Sequence, residues 1–161
     1  MNDTSHFQRF GADYLPGHLG IEIVEVSAER VRAALTVRKA LLAPNGFLHA
    51  GTVVTLADTC AALACLPSLD ERMLGSATLS LSAVFGDALR RSALAAGASG
   101  FTTIELKSNH LGTAIDGVIE CVATPAHLGR TTQVWDATVT HRASGKTIAL
   151  FRCTQMVLYK T

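Results

Sequence analysis

Residues 45–66 read NGFLHAGTVVTLADTCAALACL. Pro44-Asn45-Gly46 breaks the chain ahead of them, and from Ala50 to Leu66 the residues are rich in Ala, Leu and Val with no Pro and no Gly after Gly51, which predicts one long helix. Val53, Val54, Leu56, Ala57, Cys60, Ala61, Leu63 and Ala64 run round almost its whole circumference. Such a helix is expected to be buried on nearly all sides and to be the central element of the fold.

On both sides of this helix the apolar period changes to two. LGIEIVEVSAERVRAALTVRK (19–39) reads as a hairpin turning at Ser27-Ala28-Glu29, with Leu19, Ile21, Ile23 and Val24 inward on one arm. Val31, Ala33, Leu35 and Val37 face inward on the other, alternating with Arg32 and Arg38. Four further strands follow: FTTIELKSNH (101–110), GVIECVATPAH (117–127), RTTQVWDATVTHR (130–142) and KTIALFRCTQMVLY (146–159). Six strands segregated around one long early helix give an α+β class, a single antiparallel sheet wrapped around the helix.

At the N-terminus, Phe7, Phe10, Tyr14 and Leu15 recur at helical spacing, which predicts a short amphipathic helix from Ser5 to about Tyr14 ended by Pro16-Gly17. Between the central helix and the later strands lies an insertion at about 69–96. Its first half alternates like a strand, with Leu79, Leu81 and Phe85 apolar, and its second half, from Asp87 to Ala96, reads as a short helix. The insertion is expected either to cover a groove or interface or to be a Ser/Ala-rich loop.

A chain of 161 residues is read as one domain, 1–161. Hydrophobic residues make up 48% and charged residues 17%, too apolar for a disordered chain. Fourteen Lys and Arg against thirteen Asp and Glu leave no basic footprint for nucleic acid or an acidic membrane. Cys60, Cys65, Cys121 and Cys153 form no CxxC pair, so neither a disulfide framework nor structural zinc is suggested and buried reduced thiols are expected. MNDTSHFQRF has no signal-peptide pattern, and no apolar run is long enough to span a bilayer. The expectation is a cytoplasmic protein.

Asp58 carries the chemistry. It stands between Ala57 and Cys60-Ala61, with no Lys or Arg within four residues to pair with it. An ionisable group in the wall of a buried helix costs several kcal/mol unless paired, so packing gives little reason to keep it. A pocket where Asp58 bonds only to backbone is the structural alternative. At the helix start, Ala50 and Gly51 present backbone N–H groups at the positive end of the dipole, a place for a carbonyl oxygen gaining negative charge. His49 just before them is a cap, a buried ring or a functional group.

Asn45-x-x-x-His49-Ala50-Gly51, running on to Leu56-Ala57-Asp58-Thr59, resembles the hot-dog-fold acyl-CoA thioesterases of the hydroxybenzoyl-CoA and phenylacetate-pathway type. GFTTIELKSNHLGTA and LGRTTQVWDATVTHRASGKTIALFR resemble the family's later strands. The resemblance implies that Asp58 is the catalytic carboxylate and that the N–H of Ala50, or of Gly51, polarises the thioester carbonyl. It implies that Asn45 and His49 position the substrate or the attacking water and that Thr103 supports that water. It also implies that His110 to Ala114 and Gly129 to Thr132 (Gly129, Arg130, Thr131, Thr132) hold CoA, with Arg130 on phosphate. Ala50 replaces the first glycine of the family's usual His-Gly-Gly, and the insertion at about 69–96 departs from its usual short loop.

Eight residues separate Ala50 from Asp58, about 12 Å along a helix at 1.5 Å per residue, too far for both to reach one carbonyl carbon. A site using both takes them from two subunits, so a homodimer or a dimer of dimers is expected. The reading is hydrolysis of an acyl-CoA thioester to free acid and CoA, with Asp58 as general base or as nucleophile and no metal or cofactor beyond the substrate's own CoA. The alternatives are a hot-dog hydratase or dehydratase using His49 and Asp58, and a non-catalytic acyl-CoA-binding protein.

Overall fold

A computed structural model of the protein describes residues 4–27, 30–65 and 98–159. Two short helices, α1 (Ser5–Phe10) and α2 (Leu15–Leu19), lead into strands β1 (Ile21–Val26) and β2 (Val31–Thr36). The long helix α3 (Ala50–Cys65) follows, then β3 (Ala98–His110), β4 (Val118–Leu128), β5 (Thr132–His141) and β6 (Thr147–Tyr159). All six strands join one antiparallel sheet in the order β1-β2-β4-β5-β6-β3, and α3 packs on its inner face.

Side-chain alternation builds this core. Ile119, Cys121 and Ala123 of β4, Trp135, Ala137 and Val139 of β5, and Phe151, Cys153 and Val157 of β6 are buried at every second position. The facing helix offers Leu56, Ala57, Cys60 and Ala61, none of them exposed. Three of those four are small, so the helix backbone lies close to the sheet. Burying Leu56 contributes about 1.5–3 kcal/mol, and trimming it to Ala is expected to cost about 2–5 kcal/mol because the close packing leaves a cavity. All four cysteines are buried and none forms a disulfide.

The helix differs from the sequence expectation on one face. Val54, Thr55, Asp58, Thr59 and Ala62 form a half-buried stripe at spacings of one, three and four, so among the described residues α3 is sheathed by the sheet on one side and less covered along the other. The N-terminus also differs. Pro16-Gly17 lies inside α2 instead of ending α1, because a proline is tolerated in the first turn, where its missing N–H has no helical acceptor. Gly17 is required there, since a Cβ would stand 2.0 Å from the Ala12 carbonyl oxygen. Leu19 belongs to α2 and still packs on the core. In β1 Val24 follows inward Ile23 and faces outward at 42% exposure, and the register shift between Ile23 and Glu25 returns Val26 to the core.

The insertion at about 69–96 and the Ala28-Glu29 part of the first turn lie outside the described residues. Among the described residues no helix is long and apolar enough to cross a membrane.

Candidate active site

The loop before α3 is tied down by its own backbone. Gly46 adopts φ +85°, a left-handed conformation that glycine takes without a Cβ penalty, and its N–H donates to the Ala43 carbonyl. Asn45 Oδ1 accepts the Phe47 N–H at 3.2 Å, an Asx turn on an exposed loop. Leu48 N–H donates to the Ala114 carbonyl at 3.0 Å, which brings the segment after β3 against the start of the helix. His49 then caps α3 with both its groups. Its carbonyl accepts the Thr52 N–H at 2.9 Å, and its ring Nδ1 accepts the Gly51 N–H at 2.9 Å. In the neutral ring the proton therefore sits on Nε2.

This geometry separates the two candidate amides. Gly51 N–H is occupied by the His49 ring, which lies so close that a Cβ on Gly51 would stand 3.0 Å from Nδ1. Ala50 N–H has no partner among the described residues and is exposed at the positive end of the helix. Of the pair, Ala50 is the one free to receive a carbonyl oxygen.

Asp58 lies two turns further on, on the half-buried stripe of α3. The Thr103 hydroxyl of β3 reaches its Oδ1 at 3.2 Å. Burial pushes the carboxyl above its usual value, partly offset by this hydrogen bond. A carboxylate there holds a proton more readily than one in water, as a base working near neutral pH requires.

Asp58 also lines a cavity of about 640 Å³ between α3 and the N-terminal helices. Phe7 and Phe10 of α1, Tyr14 before α2 and Phe101 of β3 supply aromatic walls, and among the described residues no Lys, Arg or His lines it. Phe10 is 46% exposed and Tyr14 71%, so these rings face open space and not the core. Gln8 fixes α1 against the sheet, its amide bonding the Ile21 carbonyl and the Ile23 N–H. The sequence pattern gave α1 an apolar face but not what that face looks onto.

The candidate CoA segments do not meet within one chain. His110 pairs with Ala149 at one end of β3, whereas Thr132 pairs with Met156, the neighbour of Thr102, towards the other. Eight strand residues, roughly 27 Å, separate those positions. His110 to Ala114 accompanies the His49 end of α3. Gly129 to Thr132 forms a tight turn in which Gly129 N–H donates to Thr132 O at 3.0 Å and Thr131 O accepts from Val157 N–H. Arg130 is exposed there, its guanidinium 5.5 Å from the centre of the Tyr159 ring. Among the described residues no three His, Cys, Asp or Glu side chains cluster as a metal ion needs.

One neighbour of Asp58 was not singled out from sequence. Gln155 of β6 is fully buried, and its Oε1 lies 3.1 Å from the Thr103 hydroxyl. A glutamine at an inward position of an otherwise apolar strand was the available signal.

A six-stranded antiparallel sheet wrapped around one central helix, with a carboxylate in the helix wall, defines a hot-dog thioester hydrolase. The chain belongs to the thioesterase superfamily, whose family model matches residues 45–148. It is 31% identical over 142 residues to ComA2 of Bacillus subtilis (strain 168), an esterase by name, covering 88% of this chain and 92% of that one. It is 28% identical over 142 residues to the 1,4-dihydroxy-2-naphthoyl-CoA hydrolase of Listeria monocytogenes serotype 1/2a (strain 10403S), covering 88% and 94%. Among solved structures it is similar to thioesterase HI1161 of Haemophilus influenzae (TM-score 0.70, 25% identity, 95% of this chain and 88% of that chain). A thioesterase protein of Streptococcus pneumoniae TIGR4, solved with coenzyme A, shares the fold (TM-score 0.68, 21% identity, 96% and 98%).

Proposed function

We propose that this thioester hydrolase cleaves an acyl-CoA to the free acid and CoA in a site shared between two copies of the chain. The observation that carries it is the placing of the free Ala50 N–H and the half-desolvated Asp58 on one helix, about 12 Å apart. The Listeria relative, by name a CoA-thioester hydrolase, and the pneumococcal structure with coenzyme A support CoA as the thiol.

In this reading the thioester oxygen lies on Ala50 N–H of one copy. Asp58 of the other takes a proton from water as the water oxygen attacks the carbonyl carbon. The tetrahedral oxyanion is held by the amide and the helix dipole. The C–S bond then breaks, and Asp58 returns its proton to the departing CoA sulfur. The acyl group occupies the aromatic cavity beside Asp58, where among the described residues no cation would hold CoA phosphate or a charged acyl chain. A raised proton affinity suits a general base and a nucleophile alike, and the oxygen label distinguishes them. The His49 hydratase is disfavoured because the ring's acceptor nitrogen is engaged by Gly51.

The pairing edge for a second copy is β3. It is an end strand with β6 alone beside it among the described residues, and it exposes Ile104 at 52% and Leu106 at 46%. The test is thiol release from a panel of acyl-CoAs, followed by a single turnover in ¹⁸O-water. Label in the product acid and none in Asp58 is expected. Label in Asp58 makes it a nucleophile, and no thiol from any acyl-CoA overturns the reading.

A further inference from the structure

Thr103, Gln155 and Gln133 stand directly opposite one another on β3, β6 and β5, one rung across three strands. Both glutamines are fully buried, and a primary amide taken out of water into an apolar core costs several kcal/mol unless it is hydrogen-bonded. Gln133 Oε1 accepts the Trp135 indole N–H at 3.1 Å. The Gln155 amide lies between two groups, the Thr103 hydroxyl at 3.1 Å and Cys153 Sγ at 3.6 Å.

Thr103 has one hydroxyl proton and two acceptors within reach, Gln155 Oε1 at 3.1 Å and Asp58 Oδ1 at 3.2 Å. With Oε1 towards Thr103, the hydroxyl donates to Gln155 and offers Asp58 only a lone pair, which suits a protonated carboxyl. Turned over, Gln155 donates from Nε2 to Thr103, the hydroxyl donates to the Asp58 carboxylate, and Oε1 accepts the Cys153 thiol proton. In both orientations Oε1 and Nε2 each keep a partner. Burial and the Asp58 charge push the Cys153 thiol up to about 12, so that proton is present at working pH.

We propose that Gln155 is a positioning residue for Asp58, acting through the Thr103 hydroxyl: by turning its amide over, it supports the carboxyl in one geometry with or without a proton. This rests on the reading of Asp58 as the base, which must gain and lose a proton in each turnover. The other titratable groups around the row are Cys153 on β6 and Cys65 on α3, both buried thiols. Asp136 of β5 is paired with Arg152, and Glu105 of β3 is exposed with its carboxylate facing Thr154.

Gln155→Met keeps the length of the side chain and removes the amide. The Thr103 proton then has only Asp58 to go to, which favours the carboxylate. The Asp58 titration, read on the substrate-free protein by ¹³C-carboxyl NMR, is expected to move to lower pH by about half a unit or more. The turnover number for acyl-CoA is expected to fall about tenfold with a smaller change in KM. On a Thr103→Val background Gln155→Met is expected to change neither titration nor rate. If Gln155→Met does not fold, Gln155→Asn, whose amide is withdrawn by one methylene, serves with the same expected direction. An unmoved titration, or effects of the two substitutions that simply add, overturns the proposal. Because the titration needs no substrate, a shifted carboxyl in a protein that releases no thiol fails the hydrolase reading alone.

Discussion

Thr103 and Gln155 are direct cross-strand partners on β3 and β6, and their side chains meet at 3.1 Å while the same hydroxyl touches Asp58. A hydroxyl that donates to a carboxylate holds its pKa down, against the desolvation that raises it. Thr103→Val removes that support. The acid limb of the kcat/KM profile is expected to move to higher pH, the reverse of the Gln155→Met direction. A limb that stays in place separates Asp58 from the titration that controls turnover.

Asp58→Asn is expected to lower kcat by at least ~100-fold, the lower range for losing a general base. The same change is expected to stabilise the fold at neutral pH. The Asp58 carboxyl is raised above its unfolded value of 3.8. The native state therefore binds its proton more tightly, and the ionised group lowers stability as pH rises through and above that value. A neutral amide removes that cost, so the variant's melting temperature should exceed wild type at pH 7, with the difference shrinking as pH falls towards 3.8. Thermal melts at several pH values check both the sign and the window.

Ala50 is the first residue of α3, a position where proline fits and where its substitution removes one N–H. Ala50→Pro and Asp58→Ala are each expected to be inactive. Mixed one to one and allowed to exchange subunits, they should recover about a quarter of wild-type activity, because half the dimers are hybrids and each hybrid has one whole site of two. A mixture as inactive as its parents contradicts a shared site.

Arg130 is exposed and rests near the Tyr159 ring, whose hydroxyl donates to the Arg130 carbonyl at 2.5 Å. The turn is held by this bond and not by the guanidinium, so Arg130→Ala is expected to keep the fold. It should raise KM for acyl-CoA several-fold with little change in kcat, an effect that fades in high salt. An unchanged KM leaves Arg130 as a solvated side chain.

Phe10 and Tyr14 line the cavity beside Asp58 and are largely exposed. Replacing both with Ala is expected to lower the ratio of kcat/KM for benzoyl-CoA over acetyl-CoA by about tenfold, the order of two lost aromatic contacts. A general loss of folding lowers both substrates together and leaves the ratio alone.

The central helix and the alternating strands were legible because each obeys one period over many residues, and Asp58 stood out as a lone acid in an apolar helix. Strand order was not legible. β3 follows the helix in sequence yet lies at the far edge beside β6, and this placing sets His110 and Thr132 roughly 27 Å apart. The inward return of Val26 comes from a one-residue register shift that period-two counting passes over. Gln155 was missed because its meaning depends on which residue the neighbouring strand sets opposite it.

Three of the aromatic residues of the cavity wall, Phe7, Phe10 and Tyr14, precede residue 45, where the match to the family model begins, and Phe101 lies within it. With the acyl group lying there as proposed, the residues that select it and the residue that attacks it sit in different parts of the sequence. Phe10 and Tyr14 are exposed and can change without disturbing α3, whereas Phe7, Ile21, Val31 and Leu35 share its core. On the proposed placing of the acyl group, two relatives alike in the helix and unlike at Phe7, Phe10 and Tyr14 need not share a substrate.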